Sequence, residues 1–226
     1  MIRSLRFDSG YPRKLPGIGT RTIEFGPRIN IVFGPNGAGK STMLNAIANE
    51  VGCGSGGWNT DQQRGGLSFP FQAKVSWDNE PVFFQDCYAD SDNSFLAEGY
   101  LESHDFLRSS GEVRIGLINE LVSHIERRFV SYRQPRDKRP TLLLDEVDNH
   151  IGLVGQSILW REIFGQLSKK YQLIVSTHSV FPLLLRRNNA QRVDEVHELV
   201  ADYKHQCLAE LAEAIDYYNE RGDGSE

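Results

Sequence analysis

The stretch "RINIVFGPNGAGKSTMLNAIANEV", Arg28 to Val51, decides the fold. Its first part is a continuous apolar run, the pattern of a strand buried on both faces of a parallel sheet. Its last part has helical periodicity and stops at Gly52, a residue type that favours helix ends. Between them stand Gly34, Pro35, Asn36, Gly37, Ala38, Gly39, Lys40, Ser41 and Thr42, which match G-x-x-x-x-G-K-[ST]. Strand, glycine-rich loop and helix in that order make a phosphate cradle. The glycines let backbone N–H groups close around phosphate oxygens, and the helix N-terminus adds its dipole. Lys40 supplies a cation to the β- and γ-phosphates of a nucleotide, and Ser41 a hydroxyl to Mg²⁺. All nine residues are expected to touch the nucleotide.

Working outward, "TLLLDEVDNH", Thr141 to His150, is a second buried strand ending in two acids. Beside the phosphate loop, Asp145 would hold Mg²⁺ through water, and Glu146 would orient or deprotonate the attacking water. "LIVSTHS" ends a third buried strand at His178, within expected reach of a γ-phosphate. Gln85 closes "PVFFQ", where its side-chain amide can sense Mg²⁺ and water. "LRSSGEVR", Leu107 to Arg114, puts Ser109, Ser110 and Gly111 ahead of an apolar-periodic run, which is ordinary helix-capping chemistry.

The rest of the chain sets these motifs in order. "IRSLRF" and "RTIEF" alternate as half-buried strands, and a Pro/Gly/Arg-rich loop joins them. Residues 52–66 read as a mobile loop, and "FQAKVSW" and "PVFFQ" as further strands. A helix is expected from Gly111 to about Tyr132, then a basic break, then a helix through "QSILWREIFGQLSKKY" between two buried strands. From "VDEVHELV" onward the pattern reads as helix. The expected class is therefore α/β, with a parallel core sheet, an antiparallel N-terminal β portion and a short helical subdomain.

Composition narrows the function classes. The chain has 226 residues, 39% of them hydrophobic and 24% charged, as in a globular protein with a sizeable core. A net charge of -5 gives no electrostatic reason for the whole molecule to bind nucleic acid or anionic membranes. Three separated cysteines argue for reduced thiols, not a disulfide framework or zinc site. No apolar run approaches a membrane span, and a cytoplasmic protein without membrane insertion is expected. The basic segment "ERRFVSYRQPRDKRP" clusters Arg127, Arg128, Arg133, Arg136, Lys138 and Arg139 around Phe129 and Tyr132. It is read first as a solvated helix end and second as a contact surface for DNA phosphates.

Phosphate loop, strand-end Gln85, Ser-x-Gly turn, "LLLDE" and strand-end His178, in that order, resemble the ABC-type ATPase domain over roughly residues 1–185. The resemblance implies a P-loop NTPase fold that binds ATP and Mg²⁺ and hydrolyses the ATP. Glu146, His178 and Lys40 would be its catalytic residues, and Ser41, Gln85 and Asp145 its metal contacts. It also implies a homodimer formed on ATP binding, in which Ser109 and Gly111 reach the γ-phosphate across the interface. Arg108 and Ser110 depart from the family's L-S-G-G-Q. The opening sequence and "DEVDNHI" resemble the SMC/RecF-like branch and OLD-family ATPases, although Val147 stands where those have proline. That branch implies DNA maintenance or defence, with a protein partner acting as effector or nuclease. The short span from Gln85 to Ser109, and no obvious aromatic stacking residue just ahead of the loop, tell against an ABC transporter subunit. An intact Lys40, Glu146 and His178 set tells against a non-hydrolysing scaffold. Residues 1–190 are the expected ATPase domain, with its helical and signature part at about 90–135. Residues 191–226 are the expected C-terminal helical extension. The stretch after His178 is too short for an appended nuclease domain of the Toprim kind.

Overall fold

The β-branched and leucine-rich runs found in the sequence assemble side by side. The computed structural model describes residues 1–60, 69–86, 122–127, 138–149, 151–187 and 193–222. Its main sheet has six strands in the order β4 (Gly57–Trp58), β6 (Val82–Gln85), β7 (Thr141–Asp145), β8 (Gln172–Thr177), β3 (Ile29–Phe33) and β9 (Val193–Glu198). All neighbouring pairs are parallel except β4 with β6. A second sheet is antiparallel, with β1 (Ile2–Ser9) between β2 (Ile23–Glu24) and β5 (Gln72–Trp77). The expected α/β class, with a parallel core and an antiparallel N-terminal portion, is what the chain forms.

Both faces of the main sheet are covered, which is why β3, β7 and β8 read as nearly continuous apolar runs. Helix α1 (Lys40–Val51) sends Met43, Leu44 and Ile47 into one layer with Val32, Leu143 and Ile174 of the main sheet. Ile2, Leu5 and Phe7 of the antiparallel sheet close the same layer from the other side. Ile31, Phe33, Leu142, Leu144 and Val175 point the opposite way. They meet Leu159, Trp160, Phe164 and Leu167 on a helical stretch made of α2 (Leu153–Ile158), a π-turn at Leu159–Ile163 and α3 (Phe164–Lys170). The loop after β8 continues into α4 (Phe181–Arg187), and β9 leads to α5 (Tyr203–Gly222).

A buried glutamine joins the two sheets. Gln172, fully buried at the start of β8, accepts a hydrogen bond from Ile2 N–H at 2.8 Å and another from Thr141 Oγ1 at 2.8 Å. Its amide donates to the carbonyls of Ile2 at 2.8 Å and Gly26 at 2.7 Å. Buried polar groups that lose their partners cost about 1–3 kcal/mol each. Gln172→Leu is therefore expected to lower unfolding free energy by about 3 kcal/mol, read as a shifted urea midpoint with unchanged slope. A change below about 0.5 kcal/mol would show that the sheets are held by apolar packing alone.

Two expectations are corrected. Residues 193–198, read as helix, form β9, the edge strand beside β3. Val193 and Val196, three apart, fit a helical spacing; the free edge of β3 offers ladder partners instead, and a register shift pairs Val193 with Ile29 and Val196 with Ile31, so that both pack on the same core. The stretch read as a loop over 52–66 holds the short strand β4, where Trp58 is buried against Phe83 at 5.1 Å between ring centroids. Of the helix expected from Gly111 to about Tyr132, residues 122–127 are helical, and the rest lies outside the described residues.

Candidate active site

The phosphate loop leaves β3 at Gly34 and enters α1 at Lys40. Gly37 and Gly39 have φ of 77° and 99°, which L side chains rarely adopt. A Cβ on Gly39 would also stand 2.6 Å from Leu15 Cδ1. The loop thus needs glycine there for its conformation, and a side chain would in addition push the Leu15 methyl aside. Lys40 is 3% exposed, and its ammonium donates to the carbonyls of Gly34 at 2.9 Å and Pro35 at 3.0 Å. Its third partner is Glu146 Oε1 at 3.0 Å.

Glu146 follows β7 with φ of 47°, a left-handed conformation that is strained for a residue with a side chain. Ser176 of β8 holds it there, since Glu146 N–H donates to Ser176 O at 3.1 Å and to Ser176 Oγ at 3.0 Å. The strain turns the carboxylate over the phosphate loop. Asp145, one residue earlier, is buried and accepts hydrogen bonds from the hydroxyls of Ser176 and Ser41. Burial raises its carboxyl above the usual range, and the two hydroxyls oppose that rise. Asp86 and Glu146 are close enough to raise it further.

Tyr11, Leu15, Asn36, Gly37, Gly39, Lys40, Ser41, Thr42 and Glu146 line an open cleft of about 550 Å³ at the carboxyl edge of the main sheet. This is where open parallel sheets place their ligands. Gln85 ends β6, next to β7, and is 2% exposed. Its Nε2 donates to Asp86 O at 3.3 Å, while its Oε1 has no hydrogen-bond partner among the described residues. Gln85 pairs with Leu144, the residue before Asp145, and its amide oxygen with the Asp145 carboxylate and the Ser41 hydroxyl makes a set of hard oxygens, which suits Mg²⁺. Residues 14–66 match the family model of an AAA domain, a span that holds the whole phosphate loop and α1. No curated protein matches the chain. Among solved structures, the chain is similar to a metal-chelate-type ABC transporter in an inward-facing conformation. That similarity has 16% identity and a TM-score of 0.44, over 81% of this chain and 76% of that one.

The glycine-rich loop and the strand ends together hold most of the residues singled out in the sequence. Lys40, Ser41, Asp145 and Glu146 converge, with Gln85 one strand away. His178 is exposed at the end of β8 and is not among the residues lining the cleft. Behind it, Asp148 accepts from Thr177 Oγ1 at 2.7 Å and Trp160 Nε1 at 3.0 Å, which pins the turn after Glu146 to the strand that carries His178. Ser109, Gly111 and His150 lie outside the described residues, as do Arg128, Arg133 and Arg136 of the basic segment. Its described members turn to their own chain: Lys138 pairs with Glu80 at 3.6 Å, and Arg139 donates to Ser168 O at 2.7 Å. No helix among the described residues is long and apolar enough to cross a membrane.

Tyr11 was missed. It sits in the Pro/Gly/Arg-rich loop, far from the phosphate loop in sequence, yet its hydroxyl meets Thr42 Oγ1 at 2.8 Å. Its ring stands edge-on to Phe71 and 46% exposed, so a flat apolar surface borders the cleft. The "YP" pair inside a basic loop was the only available signal. Asp86 was also missed, and its adjacency to Gln85 could have marked it.

One histidine away from the cleft is unusually placed. His197 of β9 is edge-on to Phe25 at 5.1 Å, and its Nε2 has no hydrogen-bond partner among the described residues. Burial and, secondarily, the nearby Arg21 charge draw its imidazole down to about 4. The unfolded chain therefore binds a proton between pH 6.5 and 4 that the folded chain refuses. Stability should be fully present above pH 6.5 and fall by up to about 3 kcal/mol as pH drops to 4. Urea unfolding of His197→Phe beside the parent at pH 7.5 and 5 checks this. An equal loss in both proteins would assign the acid sensitivity to other groups.

Proposed function

We propose that this protein binds and hydrolyses ATP with Mg²⁺ as a nucleotide-switched dimer, and that it works with a protein partner in DNA maintenance or defence. The observation that carries the hydrolytic part is the meeting of Lys40 and Glu146 in one cleft beside Asp145 and Ser41. Glu146 supplies an anion to Lys40. An incoming phosphate competes for the ammonium, takes the contact, and leaves the Glu146 carboxylate free to orient a water molecule for attack. The strained turn at Glu146 keeps that carboxylate over the loop once it is released. Ser41, Asp145 and Gln85 would hold Mg²⁺, whose role is to neutralise charge on the transferred phosphoryl group.

His178 would reach the γ-phosphate after a rotation from its exposed position, and Ser109 and Gly111 would be offered by the second copy. Tyr11 borders the cleft next to Thr42, where its ring would meet an adenine or ribose. Phosphate release by the purified protein with ATP and Mg²⁺, followed alongside molecular mass by light scattering, tests the reading. Turnover with ATP-dependent doubling of mass supports it. Doubling of mass without phosphate release would leave an ATP-gated scaffold, and co-fractionation with membranes would favour a transporter subunit.

A further inference from the structure

We propose that the outer half of α5 is a docking surface for the same helix of a second copy, closing as a short left-handed coiled coil. The root of α5 belongs to the body: Tyr203 and Cys207 pack on the main core, with the Tyr203 ring 5.4 Å from that of Phe33. Leu208 and Leu211 are half-buried, and every residue from 212 to 220 is exposed. Ile215 and Tyr218, 50% and 74% exposed, continue the line that Leu208 and Leu211 begin. The spacing Leu208, Leu211, Ile215, Tyr218 is three, four, three, which is the repeat of a two-helix seam and keeps one stripe facing a partner.

The charges choose the occupant. Ala212, Ala214 and Asn219 flank the stripe, all uncharged and two of them small enough for close approach. Glu210, Glu213, Asp216 and Glu220 fall on the remaining positions, away from the seam. Two copies can therefore meet along the stripe with their acids held apart, and like-charge repulsion does not oppose the pair. A basic groove would want those acids at the contact. An anionic lipid surface would meet an acidic polar face and be repelled. About two heptads are too short to pair alone, so the contact rests on the nucleotide-driven dimer proposed above, which raises the local concentration of the second helix.

The test uses the full chain carrying Glu146→Gln, so that ATP is retained, and sedimentation equilibrium with ATP and Mg²⁺. Ile215→Glu with Tyr218→Glu is expected to weaken dimerisation tenfold or more, with an unchanged thermal midpoint because both side chains lie outside the body. Glu213→Gln, off the seam, should leave it unchanged. An unaltered dimer constant for the double variant overturns the proposal. If no ATP-dependent dimer forms at all, the functional reading fails separately, and α5 is then judged by oxidative cross-linking of concentrated nucleotide-free protein. Ile215→Cys should link more than Glu213→Cys if the helices meet, and equal yields would overturn the proposal.

Discussion

Glu146→Gln is expected to slow ATP turnover by about a hundredfold or more while nucleotide binding survives, because a positioned base contributes roughly 10²–10⁴ to such a step. The amide keeps the shape of the side chain but cannot accept the water's proton. Affinity for ATP should not fall, and it should rise if the resting contact competes with phosphate. Lys40 is held by Glu146 at 3.0 Å, and that ion pair must open before the ammonium can serve a nucleotide. With Gln, Lys40 still donates to the carbonyls of Gly34 and Pro35, so the ammonium is not stranded and the loop keeps its form. Phosphate release and equilibrium ATP binding, measured on the same preparation, give both numbers. Unchanged turnover would remove Glu146 from the chemistry and leave it as a resting counter-ion.

Lys40→Ala should act on binding instead. Charge-assisted hydrogen bonds contribute about 1.5–3 kcal/mol each, so the loss of one or two to phosphate weakens ATP by roughly ten- to ten-thousandfold. It should also destabilise the empty protein. Glu146 is 14% exposed in a strained backbone conformation, and Lys40 is its ion-pair partner in the cleft. Removing only the cation leaves a largely buried carboxylate uncompensated, the costly way to break such a pair. The double variant Lys40→Ala with Glu146→Gln should recover part of that stability while ATP binding stays weakened. A double-mutant cycle on thermal midpoint isolates the coupling. Additive losses in the cycle would mean that the contact contributes nothing to the resting state.

The sequence by itself determined the phosphate loop, because the conformational demand is local: a strand, glycines where φ must be positive, a lysine, and a helix start are neighbours along the chain. The buried strands carrying Asp145 and His178 were equally legible, since burial on both faces writes a nearly continuous apolar run. Their acids and histidine fall at the strand ends whatever the rest of the chain does. Residues 193–198 were misread because valines three apart fit a helix, and a strand puts them on one face only where its register slips, as β9 does beside Ile29 and Asn30. Only the open edge of β3 chose the strand. Tyr11 was invisible for a related reason, since the loop that carries it folds back to Thr42 from thirty-one positions away. The Lys40–Glu146 pair is likewise a tertiary fact. Composition supplies both charges, but the parallel alignment of β3, β8 and β7, and the Ser176 hydroxyl that holds Glu146 in its strained turn, bring them within 3.0 Å. Local chemistry fixed which groups could meet a nucleotide, and long-range strand pairing decided which of them meet each other.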